Sequence, residues 1–377
     1  METVENYIQQ KLIERREAHL LRTLSIASKD HVDFFSNDYL GLAHTRKLDD
    51  VLSERIKNFE GNLSGATGSR LLSGNSEFAE DLEKKLALFY GTEAALIFNS
   101  GYDANMGLLS SLPTRHDSVL YDELCHASII DGIRLSRAKN KFKFSHNDMD
   151  DLQKKIAASS GRIFIVAESI YSMDGDESPL LQLAEISEKN EAALIIDEAH
   201  ATGVYGENGK GLMNELQIEK NVFARIHTFG KALACHGAVV CGSSALKEYL
   251  INFARSFIYT TALPNHSLLA VECAHNIIVG SEKERQQLKI LIACFKERLK
   301  QNMQLNYIES SSPVQAIIIG GNERTRGISK RFSKQGLMIK PILSPTVAMN
   351  KERVRICLHS FNTKMEVDQI FEVLNDV

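Results

Sequence analysis

A lysine acts as a nucleophile near neutral pH only when burial or nearby cations weaken its hold on a proton. Lys231, in HTFGKALACHGA, has such a setting: Phe229, Gly230, Ala232, Leu233 and Ala234 around it are apolar or small. Thr228, three residues earlier, offers a hydroxyl suited to a phosphate oxygen. A lysine after a strand is ordinarily a solvated surface residue, so the assignment depends on its company. Asp197, in LIIDEAHATGVYG, supplies some of it. An acid at the end of an apolar run is costly to bury without a partner, and a protonated ring nitrogen is a suitable one. A carboxylate so placed keeps a pyridine-type ring charged and able to withdraw electrons from a bound substrate. The plainer alternatives are an Asp capping the next turn, or a metal ligand together with His200. DEAH also occurs as a helicase box, but that reading needs a GxxxxGK[ST] loop upstream, and the sequence has none.

Ser100 to Asn105 (SGYDAN) joins an apolar run to a helical one. Free amides at a helix start bind phosphate, and Gly101 permits close approach; many turns of this kind bind nothing. His126 opens another helix, where its ring could stack on a flat cofactor or simply begin the helix. The glycine-rich segment GNLSGATGSRLLSG (residues 61–74) has no buried strand leading into it, so it is read as a lining loop rather than a dinucleotide fingerprint.

These residues need a frame. Apolar runs at residues 94–98, 118–121, 162–167, 192–196, 226–228 and 238–241 suit strands buried on both faces. Helical patterns at 77–90, 104–112 and 126–138 alternate with them, which predicts a mainly parallel sheet with helices on both sides and a site beyond the strands' carboxyl ends. Glu168, Asp197 and Thr228 to Lys231 fall there. One long helix is expected over 268–303. Beyond it, strands at 314–319, 338–340 and 354–358 mix with helices at 323–334 and 365–374. An N-terminal helix (6–22) and short strand (33–35) complete the reading. We therefore expect a large α/β domain over 45–270, and a smaller α+β domain formed by 1–44 and 271–377.

With 377 residues, 44% of them hydrophobic, the chain can bury a large core. A net charge of -4 and the absence of long basic runs argue against nucleic acid. The six cysteines are scattered without a CxxC, as expected of free thiols in a reducing compartment. The charged N-terminus lacks a signal-peptide core, and no run suits a membrane helix, so a cytoplasmic protein is expected.

Ordered markers run along nearly the whole chain: FFSNDYLGL, GATGSRLLSGN, FNSGYDANMG, DELCHASIIDG, ESIYSMDGD, IIDEAHATGVYGENGKG, HTFGKALACHGA and RVRICLHS. In these the chain resembles the α-oxoamine synthases, pyridoxal-phosphate enzymes of fold type I. The resemblance implies a Schiff-base lysine at Lys231 that also moves the substrate Cα proton, with Asp197 as partner of the ring nitrogen. It places His200 and Ser172 near the phenolic oxygen, His126 on the ring and Glu168 behind the pocket lining. The Gly101 and Tyr102 amides and the Thr228 hydroxyl would hold the phosphate. Arg355 would bind the amino-acid carboxylate near Asn37, and Arg22 and Thr346 would touch substrate. The family's site lies at a homodimer interface, where Thr260 or Thr261 would reach the partner's phosphate; no metal is implied.

HTFGKALACHGAVVCGS and SPTV (residues 344–347) are most like family members that condense L-alanine with pimeloyl-CoA, or a pimeloyl thioester on a carrier protein, with loss of carbon dioxide in biotin synthesis. A member using glycine, serine or cysteate is the nearer alternative, and a catalytically silent relative acting as a binding protein the remoter one. One departure is Ala79, where the family often has a His; it bears on acyl-CoA contacts.

Overall fold

The computed structural model describes residues 3–24, 26 and 30–375. The chain divides into two compact units. The larger comprises Asn37–Ser172 and Asp176–Leu288; the smaller takes in the chain up to Ser36, Met173–Gly175 and everything from Lys289 onward.

The larger unit is built on a seven-stranded sheet. Its spatial order is Ala94–Phe98, Ala238–Gly242, Ala224–Thr228, Ala193–Asp197, Ile163–Glu168, Ser118–Asp122 and Asn140–Phe144. Ala238–Gly242 runs antiparallel to both neighbours, and every other pairing is parallel. Helices cover both faces of a parallel sheet, which explains why the central strands read as unbroken apolar runs: Leu194, Ile195 and Ile196 are all buried. Each such side chain contributes about 2 kcal/mol on leaving water. On one face Leu96, Val119, Val166 and Val240 pack against Leu108, Ile129, Ile133 and Leu250 of the covering helices.

Helix ends follow local chemistry. Glu77–Tyr90 begins at Ser76, whose hydroxyl accepts from the Ala79 amide, and stops at Gly91 in the left-handed region, φ 65°. Gly101–Ser111 begins three residues earlier than its apolar period suggested, because the Ser100 hydroxyl accepts from the Asp103 amide. The single helix expected over 268–303 is instead two, Asn265–Val279 and Glu282–Gln301. Gly280 ends the first, and Ser281 turns its hydroxyl back onto the Ile277 carbonyl. The apolar period continues across this break, so periodicity alone did not reveal it.

The smaller unit holds a four-stranded antiparallel sheet, in the order Lys340–Ile342, Arg353–Cys357, Val314–Ile318 and Asn306–Ile308. Val32–Asp33 pairs in parallel with Leu337–Met338, so the N-terminal segment belongs to this unit. Helices Asn322–Lys334 and Lys364–Leu374 accompany the sheet, the latter opened by a capping box between Thr363 and Glu366. The first helix, Val4–Glu17, has no buried residue.

Candidate active site

Strands Ile163–Glu168 and Ala193–Asp197 run in register, so their last residues, Glu168 and Asp197, are direct neighbours. Thr228 ends the next strand, Ala224–Thr228. The chain then returns antiparallel, and the loop between those strands carries Lys231. The loop is closed by hydrogen bonds from the Phe229 amide to the Gly237 carbonyl (2.9 Å) and from the Cys235 amide to the Phe229 carbonyl (2.8 Å). Phe229, Ala232 and Leu233 are fully buried and anchor it. The apolar neighbours of Lys231 in the sequence are thus the loop's attachment, with the lysine half-buried between them. Gly203 has φ 84°, and a Cβ there would lie 2.9 Å from that of Ala232, so only glycine lets the turn after Asp197 pack against the lysine loop.

These strand ends and the starts of helices Gly101–Ser111 and Ala127–Leu135 enclose a pocket of about 250 Å³. Asn37, Gly101, Tyr102, His126, Glu168, Ser172, Asp197, His200, Thr228 and Lys231 all line it. Ten of the residues singled out in the sequence therefore meet in one cavity, with Glu168 in its lining rather than behind it. Thr260 and Thr261 lie outside its lining but in the same unit: the Asn99 side-chain amide donates to Thr260 Oγ1 (2.9 Å) and to the Thr261 carbonyl (2.7 Å). Arg22, Thr346 and Arg355 belong to the smaller unit. There Arg22 donates to the Thr346 hydroxyl (3.3 Å), and Arg355 lies mid-strand between Ala316 and Lys340.

The pocket's polar groups suit a phosphorylated pyridine. The Ser100 hydroxyl and carbonyl take the Asp103 and Ala104 amides, leaving the Gly101 and Tyr102 amides without intrahelical partners. Thr228 Oγ1 is buried and has no hydrogen-bond partner among the described residues. A Cβ on Gly101 would lie 2.5 Å from Thr228 Cγ2, so helix start and hydroxyl form a single cradle for an oxyanion. Asp197 accepts one hydrogen bond on each oxygen, from the Ala199 amide (2.8 Å) and from Asn105 Nδ2 (2.8 Å). Each oxygen keeps a second lone pair for a ring N–H. His200 Nδ1 is 2.6 Å from the Tyr39 hydroxyl, which donates to Asn37 Oδ1 (3.1 Å).

Burial weighs on the charge of Glu168 and of His126. Burial, reinforced by the neighbouring Asp197 charge, pushes the Glu168 carboxyl up, against Lys231 and a hydrogen bond from the His126 amide. The His126 ring is open to the pocket, yet the protein around it disfavours the imidazolium, so its affinity for a proton is lowered by desolvation, against the pull of Asp197. Sequence reasoning missed Asn105 and Ser128, both buried and both lining the pocket. Asn105 stood at the edge of SGYDAN, but its chemistry depends on Asp197, 92 positions away, and no local signal marks that pairing.

The aminotransferase class I and II family model matches residues 29–374. An 8-amino-7-oxononanoate synthase of Emericella nidulans is 41% identical, over 96% of this chain and 93% of its own length. A protein named putative 8-amino-7-oxononanoate synthase from Bacillus cereus is 38% identical, over 100% and 98%. Among solved structures, an 8-amino-7-oxononanoate synthase from Francisella tularensis superposes with a TM-score of 0.80 at 30% identity, covering 93% of this chain and 98% of that one. A serine palmitoyltransferase of Sphingomonas wittichii gives 0.88 at 26%, covering 97% and 96%. Fold and site thus define a fold-type I pyridoxal-phosphate enzyme of the class I and II aminotransferase family. Within that family the chain belongs to the α-oxoamine synthases, the C-acyltransferases that condense an amino acid with an acyl thioester.

Proposed function

We propose that this α-oxoamine synthase condenses L-alanine with a pimeloyl thioester, on CoA or a carrier protein, releasing the thiol and carbon dioxide and forming 8-amino-7-oxononanoate for biotin synthesis. The observation that carries the reading is the meeting of Lys231, Asp197, His126 and the Gly101–Thr228 cradle in one pocket. Relatives of that name at 38–41% identity over nearly the full chain support the choice of substrates.

When bound, pyridoxal phosphate supplies the electron sink that makes the amino acid's Cα acidic and its later decarboxylation possible. Lys231 would hold the cofactor, and its Nζ would carry the substrate Cα proton. Asp197 would keep the ring nitrogen charged. Gly101, Tyr102 and Thr228 would hold the phosphate, His126 would stack on the ring, and His200 and Ser172 would approach the phenolic oxygen. Arg355 is the candidate for the substrate carboxylate, with Asn37, Arg22 and Thr346 as further substrate contacts. Holding the reacting groups in place lowers the entropic part of the barrier.

In the same proposal the protein is a cytoplasmic homodimer, with Thr260 or Thr261 touching the phosphate held by the partner. Six free cysteines fit a reducing compartment, and no helix among the described residues is long and apolar enough to cross a membrane. A serine- or glycine-using enzyme is the second reading, favoured by the close superposition on serine palmitoyltransferase. Turnover of alanine, glycine, serine and cysteate with acetyl-, pimeloyl- and palmitoyl-CoA, read by thiol release, separates them. Preference for alanine with the pimeloyl thioester is expected. Selection of another pair would discard the substrate assignment and leave the family intact.

A further inference from the structure

Two groups expected to meet the cofactor ring, Asp197 and His126, are joined by side chains given no role so far. Asn105 Nδ2 stands 2.8 Å from Asp197 Oδ2 and 3.0 Å from Ser128 Oγ. Ser128 Oγ in turn is 2.8 Å from His126 Nδ1. Asn105 and Ser128 are each 1% exposed, so water does not interrupt the chain.

The direction of every bond can be worked out. A carboxylate oxygen accepts, so the Asn105 amide must face Asp197 with its NH2 group, and the second hydrogen of that group goes to Ser128 Oγ. Ser128 Oγ, having accepted, is free to donate its own proton. At the other end, the Ser128 backbone N–H also points at His126 Nδ1, at 3.2 Å, and an amide N–H can only donate. His126 Nδ1 is therefore an acceptor, carries no proton, and receives the Ser128 hydroxyl as well. This capping of helix Ala127–Leu135 by a histidine ring places the imidazole's proton on Nε2.

We propose that Asn105 and Ser128 are positioning residues that fix His126 as its neutral Nε2–H tautomer and tie its orientation to that of Asp197. A single amide so holds Asp197, the acid that would meet the ring nitrogen, and, through one hydroxyl, His126, the imidazole that would stack on the ring. Asn105 Oδ1 is buried without a partner among the described residues, which leaves the amide no competing bond to rotate toward. Burial already disfavours the imidazolium, with Lys231 acting in the same sense and Asp197 and Asp131 opposing it. The two donors at Nδ1 add a directional reason, because a proton on that nitrogen would face two others. The catalytic meaning rests on the proposed function; the tautomer does not.

The test is ¹⁵N NMR of histidine-labelled, cofactor-free protein, with His126 assigned through His126→Gln. The wild type is expected to show an unprotonated Nδ1 and a protonated Nε2 at neutral pH. Ser128→Ala should mix the tautomers and raise the His126 titration midpoint by about half a unit or more, the size of one net hydrogen bond. Ser128→Thr, which keeps the hydroxyl, should restore both. Asn105→Ala should move them in the same direction and by less, since it removes the bond that polarises the Ser128 hydroxyl as a donor toward Nδ1. A protonated Nδ1 in the wild type, or the same tautomer and midpoint in all folded variants, overturns the proposal. Should either alanine variant not fold, as judged by circular dichroism, the wild-type spectrum still decides. An enzyme with the expected tautomer but a different amino-acid preference would sink the substrate assignment alone.

Discussion

At the scale of single residues, the lysine loop and the phosphate cradle make separable demands. Lys231→Ala removes the amine proposed to hold the cofactor and move the proton, while its backbone sits in a loop anchored by Phe229, Ala232 and Leu233. Turnover should fall by at least about 10²–10⁴-fold, the usual worth of a positioned acid–base group, with an unchanged circular dichroism spectrum. Normal turnover would remove Lys231 from the mechanism. Gly101→Ala tests the other half, since the added Cβ would meet Thr228 Cγ2 at 2.5 Å and push helix start and hydroxyl apart. Pyridoxal-phosphate affinity, measured by titration of the cofactor-free protein, should weaken by about tenfold or more, which is about 1.4 kcal/mol. Equal affinity would mean the phosphate is held elsewhere. TFGK and SGY stood out in the sequence because each places backbone and side chain together, but their joining into one cradle came only from the family resemblance. Asn105 and Ser128 did not stand out, because a relay to Asp197 exists only once helix starts and strand ends converge.

Between elements, the loop after strand Ile163–Glu168 carries Ser172 into the pocket, and its far end is tied down by charge. His146 Nδ1 meets Asp122 Oδ1 at 2.9 Å and Nε2 meets Asp176 Oδ2 at 2.6 Å. Burial works against the imidazolium here, but the two carboxylates outweigh it and raise the His146 pKa to about 9. A histidine whose folded value exceeds its unfolded one stabilises fully below the unfolded value, and the benefit fades as pH rises through the folded value. The window therefore runs from about pH 6.5, the ordinary histidine value, to about 9. His146→Gln should cost about 2–3 kcal/mol at pH 6.5, since it leaves the fully buried Asp122 with backbone donors alone. In urea melts the gap from wild type should narrow by pH 9.5; a gap independent of pH would show that His146 acts by packing. Periodicity recovered the buried strands but not Asn140–Phe144, where NKFKF alternates polar and apolar at the sheet edge. Nor did it separate the helices on either side of Gly280, since sidedness of burial persists through the break while hydrogen bonding does not.

For the whole molecule, the expected homodimer with shared sites makes a prediction that a single-chain site cannot imitate. Asn99, next to the Ser100 cap, fixes Thr260 and Thr261, yet neither threonine lines the pocket of its own chain. If they serve the partner's phosphate, a Thr260→Ala/Thr261→Ala chain damages its neighbour's site, whereas Lys231→Ala damages its own. Each homodimer alone is then defective. In a mixed dimer both lesions fall on one site: the Lys231→Ala chain lacks its lysine and faces the altered threonines. The other site has its lysine and receives intact threonines, so it works. Random exchange at equal amounts makes half of all dimers mixed, each with one competent site, so activity should recover to about a quarter of wild type. If each chain serves itself, the mixed dimer holds one site without lysine and one without threonines, and mixing restores nothing beyond the average of the parents. Sedimentation at twice the 42.1 kDa chain mass is the necessary companion result, because a monomeric active enzyme would rule out sharing before any mixing is done.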